Sequence, residues 1–412
     1  MAAPGGRGQA SLIHPTILVL NWNADELRLC ETTVETAVEA ARGGLRGLLR
    51  SPCISPTFTN YLRDSILVNQ PQLVVVTTPN EADSSSYLHS NTLPDLLPTL
   101  QYQLLRREKI AGVGHQVVAV VTGATQPALR ISVYAHNNVV KDWTYSDKTL
   151  YKLIPDGLTE NVLQYGNGYA GMIAVHLWHR FYGKFAIMAV DLPEDALPLP
   201  VYTFSKNRLA SKAVSNLSLL TWLTALTDAM SPAERPDHLI LCGTFNYQLV
   251  VPDKTILETI RSTSANLTKA NLKSVQQFDE GTAALRKGEV LEGFSEGVGG
   301  QGPLFMPTWR MTKGRSSDCN PDYQKTPPVA PAQGAIPGAI GAGAASPSSV
   351  SAACFTFNQT SGGIGWSDRI YFRDLLTSTY LLTCEQYERL DDPSMAQSSH
   401  AGVTAVLKIG SY

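Results

Sequence analysis

Apolar residues in this chain occur in two kinds of run, one unbroken and the other spaced as on one face of a helix. The unbroken runs are short and bounded by polar or turn-forming residues, which predicts buried strands. They read PTILVLNWN from residue 15, PQLVVVTTP from 71, HQVVAVVTG from 115, LRISVYAHN from 129, DHLILCGTFNY from 237, GPLFMPTW from 302, SDRIYF from 367 and GVTAVLKIGS from 402. Two more, AGMIAVHLW and KFAIMAVDL, flank the turn HRFYG and predict a hairpin.

Helical spacing of apolar residues alternates with these strands. It predicts helices at Val34 to Leu49, around Leu93 to Arg107, over 212–230 and in a stretch that ends near Leu291. Buried strands interleaved with amphipathic helices indicate sheets covered by helices.

Two segments lack both patterns. Residues 1–12 are rich in Gly and Ala and predict a flexible tail. Residues 326–351 read TPPVAPAQGAIPGAIGAGAASPSSVS, without a single charged side chain, so they bury too little to offset their ordering entropy. We therefore expect one domain over 13–412, interrupted by a Pro/Ala/Gly-rich surface insertion at about 311–362.

Composition narrows the classes of function. A formal charge of −2 gives no overall positive field, so we expect no nucleic-acid partner. The six cysteines show no C-x-x-C pair, and the first residues lack a signal-peptide pattern, which favours an intracellular, reducing setting rather than secretion. No uninterrupted apolar stretch reaches about 18 residues, so no transmembrane segment is predicted.

Short motifs then fall in a fixed order along the chain. They are NWNAD at 21, GYAGMIAV at 168, GTFNYQL at 243, LEGFSEGVGGQGPLFMPTWR at 291, GWSDRIYF at 365 and SSHAGVTAVLKI at 398. This order resembles the inositol polyphosphate 5-phosphatases of the endonuclease/exonuclease/phosphatase superfamily, from about Ile17 to Ile409. The resemblance implies an α/β (α+β) fold: a four-layer sandwich of two central, mostly antiparallel β-sheets flanked by helices, like deoxyribonuclease I.

The resemblance also implies a set of catalytic groups. In that family a carboxylate holds a divalent cation, usually Mg²⁺, an Asp and an Asn orient the attacking water, and a His beside another Asp stabilises phosphoryl charge. Four of these positions are retained in this sequence. Asn23 matches a metal-site residue, and Asn246, Asp368 and His400 match catalytic residues.

Other catalytic positions of the family are replaced. Thr78 or Pro79 stands where the metal carboxylate belongs, and only a slip of register would bring Glu81 there. Asp191 stands where the family has a His, Thr244 where it has the water-activating Asp, and Ser399 where it has the Asp beside the final His. A threonine cannot take a proton from water near neutral pH, so we expect no bound metal and little turnover.

The phosphate-binding positions are mixed. Trp309 and Arg310 keep one aromatic ring and one cation where the family contacts the ring phosphate, and Arg369 is a further substrate-binding candidate. These positions predict that weak phosphoinositide binding is retained where catalysis is lost. An alternative for Arg369 is a purely structural ion pair with Asp368, and His400, without an Asp at 399, is expected to be a satisfied polar residue.

The leading hypothesis is a catalytically degenerate 5-phosphatase-like protein that acts as a binding or structural component. It would meet protein partners through the loop at 311–362, and a large assembly such as a viral particle would fit. The alternative is an active Mg²⁺-dependent inositol phosphate or phosphoinositide 5-phosphatase whose carboxylates come from Glu81, Asp191 and Asp25. A nuclease of the superfamily is disfavoured, because it needs the same metal groups and no basic stripe is visible.

Overall fold

The computed structural model describes most of the predicted strands and part of the predicted helices. The described residues are 14–23, 28–29, 53–54, 56–82, 88–111, 127–147, 150–154, 170–192, 223, 235–250, 269–288, 290–308, 364–375, 378–390, 398 and 400–411. The tail at 1–12, the helix at Val34 to Leu49, the strand at 115–123, nearly all of 212–230 and the insertion at about 311–362 lie outside them.

Six strands form the first sheet. They are β1 (His14–Asn21), β4 (Pro71–Ala82), β5 (Tyr102–Ala111), β6 (Pro127–His136), β14 (Tyr380–Arg389) and β15 (Val403–Ser411), counted along the chain. Their order is β14-β15-β1-β4-β6-β5. Among the described strands of this sheet, only β1 and β4 run parallel, and β1 also pairs antiparallel with β15. The sheet therefore joins strands from both halves of the chain.

Seven strands form the second sheet. They are β7 (Trp143–Tyr145), β8 (Leu150–Ile154), β9 (Ala170–His179), β10 (Gly183–Asp191), β11 (His238–Thr244), β12 (Ser295–Glu296) and β13 (Asp368–Asp374). The order is β12-β13-β11-β10-β9-β7, with β8 also on β9. Strands β9 and β10 form the predicted hairpin, and β10 and β11 are parallel. Two short strands, β2 (Arg28–Leu29) and β3 (Cys53–Ile54), pair separately.

Four α-helices are described: α1 (Pro56–Asn69), α2 (Leu93–Thr99), α3 (Lys269–Gln276) and α4 (Glu280–Lys287). Shorter helical turns lie at Leu88–Thr92, Val140–Asp142 and Val298–Gly300. Among these described helices, none has both the length and the apolar character needed to cross a bilayer.

Three apolar clusters show how the layers stack. One lies between the sheets and contains Ile17 and Val19 of β1 together with Ile240 of β11. The intervening residues Leu18 and Leu20 face the other way, into a cluster with residues of α1 and α2. A third cluster packs the outer face of the second sheet on α4. Strands buried on both faces read as unbroken apolar runs, and the predicted four-layer sandwich is confirmed.

Two predicted elements are wrong. The helix expected around Leu93 to Arg107 ends at Thr99, and strand β5 follows from Tyr102. Gln101 has φ 67°, in the left-handed region that ends a helix, and β5 gains its hydrogen bonds from β6. The strand expected in GPLFMPTW does not form over 302–308, because its two prolines have no N–H to donate to a ladder. Helix α1 and strand β14 were not predicted.

A buried ion triad holds the second sheet to its neighbours. Arg369 on β13 donates from Nη1 to Glu296 Oε2 at 2.9 Å and from Nη2 to Asp279 Oδ2, and all three side chains are at most 1% exposed. Asp279 caps α4 by accepting from Thr282 N at 2.7 Å, and Tyr387 OH on β14 donates to Glu296 Oε1 at 2.9 Å. One guanidinium thus ties β13, β12, β14 and α4 together.

The triad corrects the alternative of an Asp368–Arg369 ion pair. Adjacent residues of a strand point to opposite faces, so Arg369 lies on the helix-covered face while Asp368 faces elsewhere. Gly281 at the start of α4 leaves room for the guanidinium. A Cβ there would lie 2.6 Å from Arg369 Cζ and 2.7 Å from Tyr247 Cδ2.

Arg369→Met should destabilise the protein strongly, because it leaves two buried carboxylates without their cation. We expect the free energy of unfolding to fall by about 3 to 5 kcal/mol, measured by urea denaturation. The matched control is Arg63→Met in the exposed Arg63–Asp64 pair, which should change it by less than about 1 kcal/mol. Equal effects of the two substitutions would contradict the structural role of Arg369.

Glu296→Gln should change the pH dependence of stability. Burial raises the pKa of Glu296 to about 7, with Asp279 adding to the rise and Arg369 opposing it. A raised folded-state pKa gives stability that is present below about pH 4.5 and lost as the pH rises through about 7. The Gln variant lacks this titration. The difference in free energy of unfolding, variant minus wild type, should therefore increase by roughly 3 kcal/mol from pH 4.5 to pH 8. A constant difference across that range would refute it.

Candidate functional site

Retained and replaced motif positions meet where strands of the two sheets end. Asn23 follows β1, Thr244 is the last residue of β11, and Asp191 is the last residue of β10. The ladder sets Asp191 opposite Thr244 and Thr244 opposite Asp368, the first residue of β13. His400 lies just before β15. The fold therefore gathers at one end of the sandwich residues that are far apart in sequence.

A chain of hydrogen bonds joins four of these side chains across the two sheets. Asn23 Nδ2 donates to Thr244 Oγ1 at 3.1 Å, and Thr244 Oγ1 donates to Asp368 Oδ1 at 2.9 Å. The other carboxylate oxygen of Asp368 lies 2.8 Å from His400 Nδ1. Thr244 and Asp368 have no exposed surface, and Asn23 and His400 are about 5% exposed or less. Thr244 thus occupies the centre of a buried polar chain.

His400 has an aspartate partner after all. The expectation that it lacked one rested on Ser399, the neighbouring residue in sequence, whose placement lies outside the described residues. The partner is Asp368, from the other sheet, and the pair is almost fully buried. The histidine and aspartate side chains of the resemblance therefore stand together.

Backbone and hydroxyl contacts fix the positions of these side chains. Ser398 Oγ donates to Asn23 O at 2.8 Å and accepts from His400 N at 3.0 Å. Thr308 Oγ1 accepts from Asp368 N at 3.1 Å, and Thr308 O accepts from Ala401 N at 2.8 Å. Sequence reasoning missed Ser398 and Thr308. The signal for Thr308 was its place in FMPTWR, at the end of the motif that begins at residue 291.

Asn246 acts on the backbone of the neighbouring turn. Its Nδ2 donates to Leu192 O at 2.5 Å, and Leu192 N donates to Thr244 O at 2.8 Å. Asn246 has φ 53°, a left-handed conformation that Asn adopts more readily than most residues. Its amide therefore holds the end of β10, beside Asp191, against the turn after β11.

In the second half of β4, uncharged side chains occupy the position where the resemblance implies a metal carboxylate. Thr78 Oγ1 lies 2.8 Å from His89 Nε2, and His89 Nδ1 lies 2.7 Å from Ser132 Oγ. Burial lowers the pKa of His89 well below its ordinary value, and Arg130 and Arg107 add to that effect. His89 is therefore a neutral hydrogen-bonding side chain. No sequence motif pointed to it.

The pairing of β4 with β6 is irregular between Thr78 and Glu81, where Glu81 lies opposite Ala128. This irregularity falls at the point where a slip of register would move Glu81 toward the site. The side chain of Glu81 is not among those described, and neither are Ser399, Trp309 and Arg310. The predictions for these four residues stay predictions.

Arg369 is the site candidate that the structure removes. Its guanidinium is fully buried against Asp279 and Glu296 and has no access to a ligand, which corrects its assignment to substrate binding. Thr308 lies at the site and directly precedes Trp309 in the sequence. The chain therefore enters the predicted phosphate-binding segment at the site.

The described side chains do not fit a magnesium site. Within the described residues, no three His, Cys, Asp or Glu side chains converge as metal ligands. Both carboxylate oxygens of Asp368 already face hydrogen-bonding partners, and Thr244 contributes a neutral hydroxyl. Mg²⁺ prefers carboxylate and water oxygens in open octahedral geometry. What the described arrangement supplies is a closed, buried polar chain with one histidine–aspartate pair.

Comparison with known proteins supports the fold. Cimex nitrophorin, in a ferrous NO complex, aligns over 97% of this chain and 99% of its own with 11% identity and a TM-score of 0.52. A likeness at this identity shows the fold alone. An endonuclease/exonuclease/phosphatase from Beutenbergia cavernae aligns over 96% of this chain and 72% of its own, with 12% identity and a TM-score of 0.42. ANGEL2, a 2',3'-cyclic phosphatase, aligns over 96% of both chains with 9% identity and a TM-score of 0.42. No family model and no curated protein matches the sequence.

Thr244→Asp should destabilise the protein although it restores the residue that the resemblance implies. The new carboxylate would stand beside the buried Asp368, so two like charges would share a site without a cation. We expect the free energy of unfolding at pH 7.5 to fall by about 3 kcal/mol in urea denaturation.

The matched control for this prediction is Thr244→Ser, which keeps the hydroxyl and removes one methyl group. It should cost about 1 kcal/mol. Equal stability of the Asp and Ser variants would contradict the need for an uncharged side chain between Asn23 and Asp368.

Proposed function

We propose that this chain is a catalytically degenerate relative of the inositol polyphosphate 5-phosphatases, of the endonuclease/exonuclease/phosphatase superfamily, that serves as a binding or structural component. The observation that carries the proposal is the hydrogen bond from Thr244 to Asp368 at the centre of the buried chain. At that position the resemblance implies a carboxylate that takes a proton from water.

The chemistry of the hydroxyl argues against turnover. The Thr244 hydroxyl donates a hydrogen bond to Asp368, and an alcohol is far too weak a base to activate water near neutral pH. Thr78, where the metal carboxylate is implied, is engaged with His89. Groups that act together in catalysis lose their effect together, so two such replacements remove most of the rate enhancement. We expect no resident cofactor.

Other uses of this fold support a role outside phosphate release. The aligned Cimex nitrophorin is described as a ferrous NO complex, and folds of one type host unrelated functions. Function must therefore be argued from the site, and the described site is closed by its own hydrogen bonds.

The partner we propose is another protein, bound through the surface loop at about 311–362. Its Pro-, Ala- and Gly-rich middle, without charge over 326–351, suits contact with protein better than recognition of phosphate. Membership of a large assembly, such as a viral particle formed inside the cell, would fit this role. Trp309 and Arg310, which follow Thr308 in the sequence, would retain weak phosphoinositide binding.

One observation favours the second candidate function. The buried Asp368–His400 pair preserves two catalytic side chains of the resemblance in contact. An active Mg²⁺-dependent 5-phosphatase would then need carboxylates from Glu81, Asp191 and Asp25, with Asn246 orienting the water.

Phosphate release separates the two candidates. We expect wild type to release no phosphate above background from a bis-phosphorylated phosphoinositide with Mg²⁺, in an assay validated with an active 5-phosphatase. Thr244→Asp should release none either, because the metal carboxylate and one implied imidazole are still replaced. Mg²⁺-dependent turnover by wild type that Asn246→Ala abolishes would establish the enzyme and refute the proposal.

A further inference from the structure

A cleft on the outer face of the first sheet lies apart from the residues of the candidate site. It has a volume of about 340 Å³ and lies between α2 and the edge strand β5. Pro98 of α2, Gln103, Leu104 and Arg107 of β5, and Asn137 after β6 contribute to its walls. The volume is in the lower part of the range for small-molecule sites, roughly 300 to 1,000 Å³.

Arg107 places a positive charge in this cleft. Its Nε donates to Ser132 Oγ at 3.3 Å and its Nη2 donates to Tyr134 OH at 3.0 Å, and both acceptors are neutral hydroxyls. No carboxylate of the described residues pairs with it, whereas the adjacent Arg106 pairs with Glu108 and Asp147. A guanidinium has five N–H donors, so Arg107 keeps donors for a ligand.

The surroundings of Arg107 strengthen its pull on an anion. Arg107 and Arg130 both help to lower the pKa of His89, which reports a positive potential behind the cleft wall. A half-buried cation in such a place gains from an anionic partner, because the partner restores the electrostatic interactions lost with water.

The rim adds amide donors and apolar contact surface. Asn137 and Gln103 are exposed, and the backbone of Asn137 is fixed by its N–H to Gln101 O at 2.7 Å. Leu104 is 40% exposed although it is a large apolar residue, and Pro98 also lines the cleft. One cation, the exposed amide of Asn137 and apolar walls match a ligand with a single negative charge and an apolar body.

We propose that this cleft binds a small organic carboxylate, with its carboxylate on Arg107 and an apolar or aromatic body against Pro98 and Leu104. The planar guanidinium can hold both oxygens of a carboxylate side by side. The proposal does not depend on phosphatase activity, since neither Asp368 nor His400 lines the cleft. Arg107 contacts the Thr78–His89–Ser132 network at its outer end, through Ser132.

Benzoate is the probe, titrated into the full chain by isothermal calorimetry, with neutral benzamide as its matched control. We expect saturable one-to-one binding of benzoate at about millimolar Kd, and at least about tenfold weaker binding of benzamide. Equal binding of the two compounds, or no saturation, would overturn the proposal. Inorganic phosphate should displace benzoate poorly, and tighter phosphate binding would overturn the carboxylate class.

Three variants locate the site. Arg107→Gln should weaken benzoate binding at least about tenfold, and Arg107→Lys, which keeps the charge without the planar fork, by several-fold. Leu104→Glu places a competing carboxylate on an exposed rim position and should abolish binding while leaving the fold intact. Arg63→Gln on α1 is the control and should bind like wild type. Unchanged binding in Arg107→Gln or in Leu104→Glu would refute the assignment.

Discussion

The position of the candidate site depends on one buried cation, Arg369. It stands between two carboxylates that belong to different elements, and the cost of leaving either unpaired in a dry interior fixes β13 in a single register. Since side chains alternate along a strand, fixing Arg369 on one face fixes Asp368 on the other. The hydrogen bonds of Asp368 to Thr244 and His400 follow from that register.

The two threonines near the site have a common physical explanation. Carboxylates that converge on a divalent cation repel one another once the cation is absent, and burial magnifies the repulsion. A hydroxyl avoids this repulsion, because it can donate to one neighbour and accept from another. Thr244 does so between Asn23 and Asp368, and Thr78 contacts the neutral His89. Under the proposed function, the replacement of several carboxylates together is then the stable outcome for this site.

The sheets could be predicted from sequence because strands buried on both faces produce unbroken apolar runs. The edge strand β5 could not be predicted, since QLLRREK has solvent on one side and reads equally well as an amphipathic helix. The motif order groups Asn23, Asp368 and His400, and in the structure hydrogen bonds through Thr244 link the three side chains. The partners of His400 and Arg369 were not predicted. The sequence analysis looked for them at the adjacent positions 399 and 368, whereas the structure places them on other elements.

The pairing of β1 with β15 has a consequence for how the chain acquires its structure. Val19 O and Thr404 Oγ1, whose residues lie 385 positions apart, are hydrogen-bonded, and β1 has β15 along one whole side. During synthesis β1 emerges long before the strand that covers that side exists. Until then it presents an apolar edge able to pair with other chains. A chain truncated before β15 would therefore be prone to aggregate. Because contacts so distant in sequence form slowly, we expect the first sheet to close late in folding.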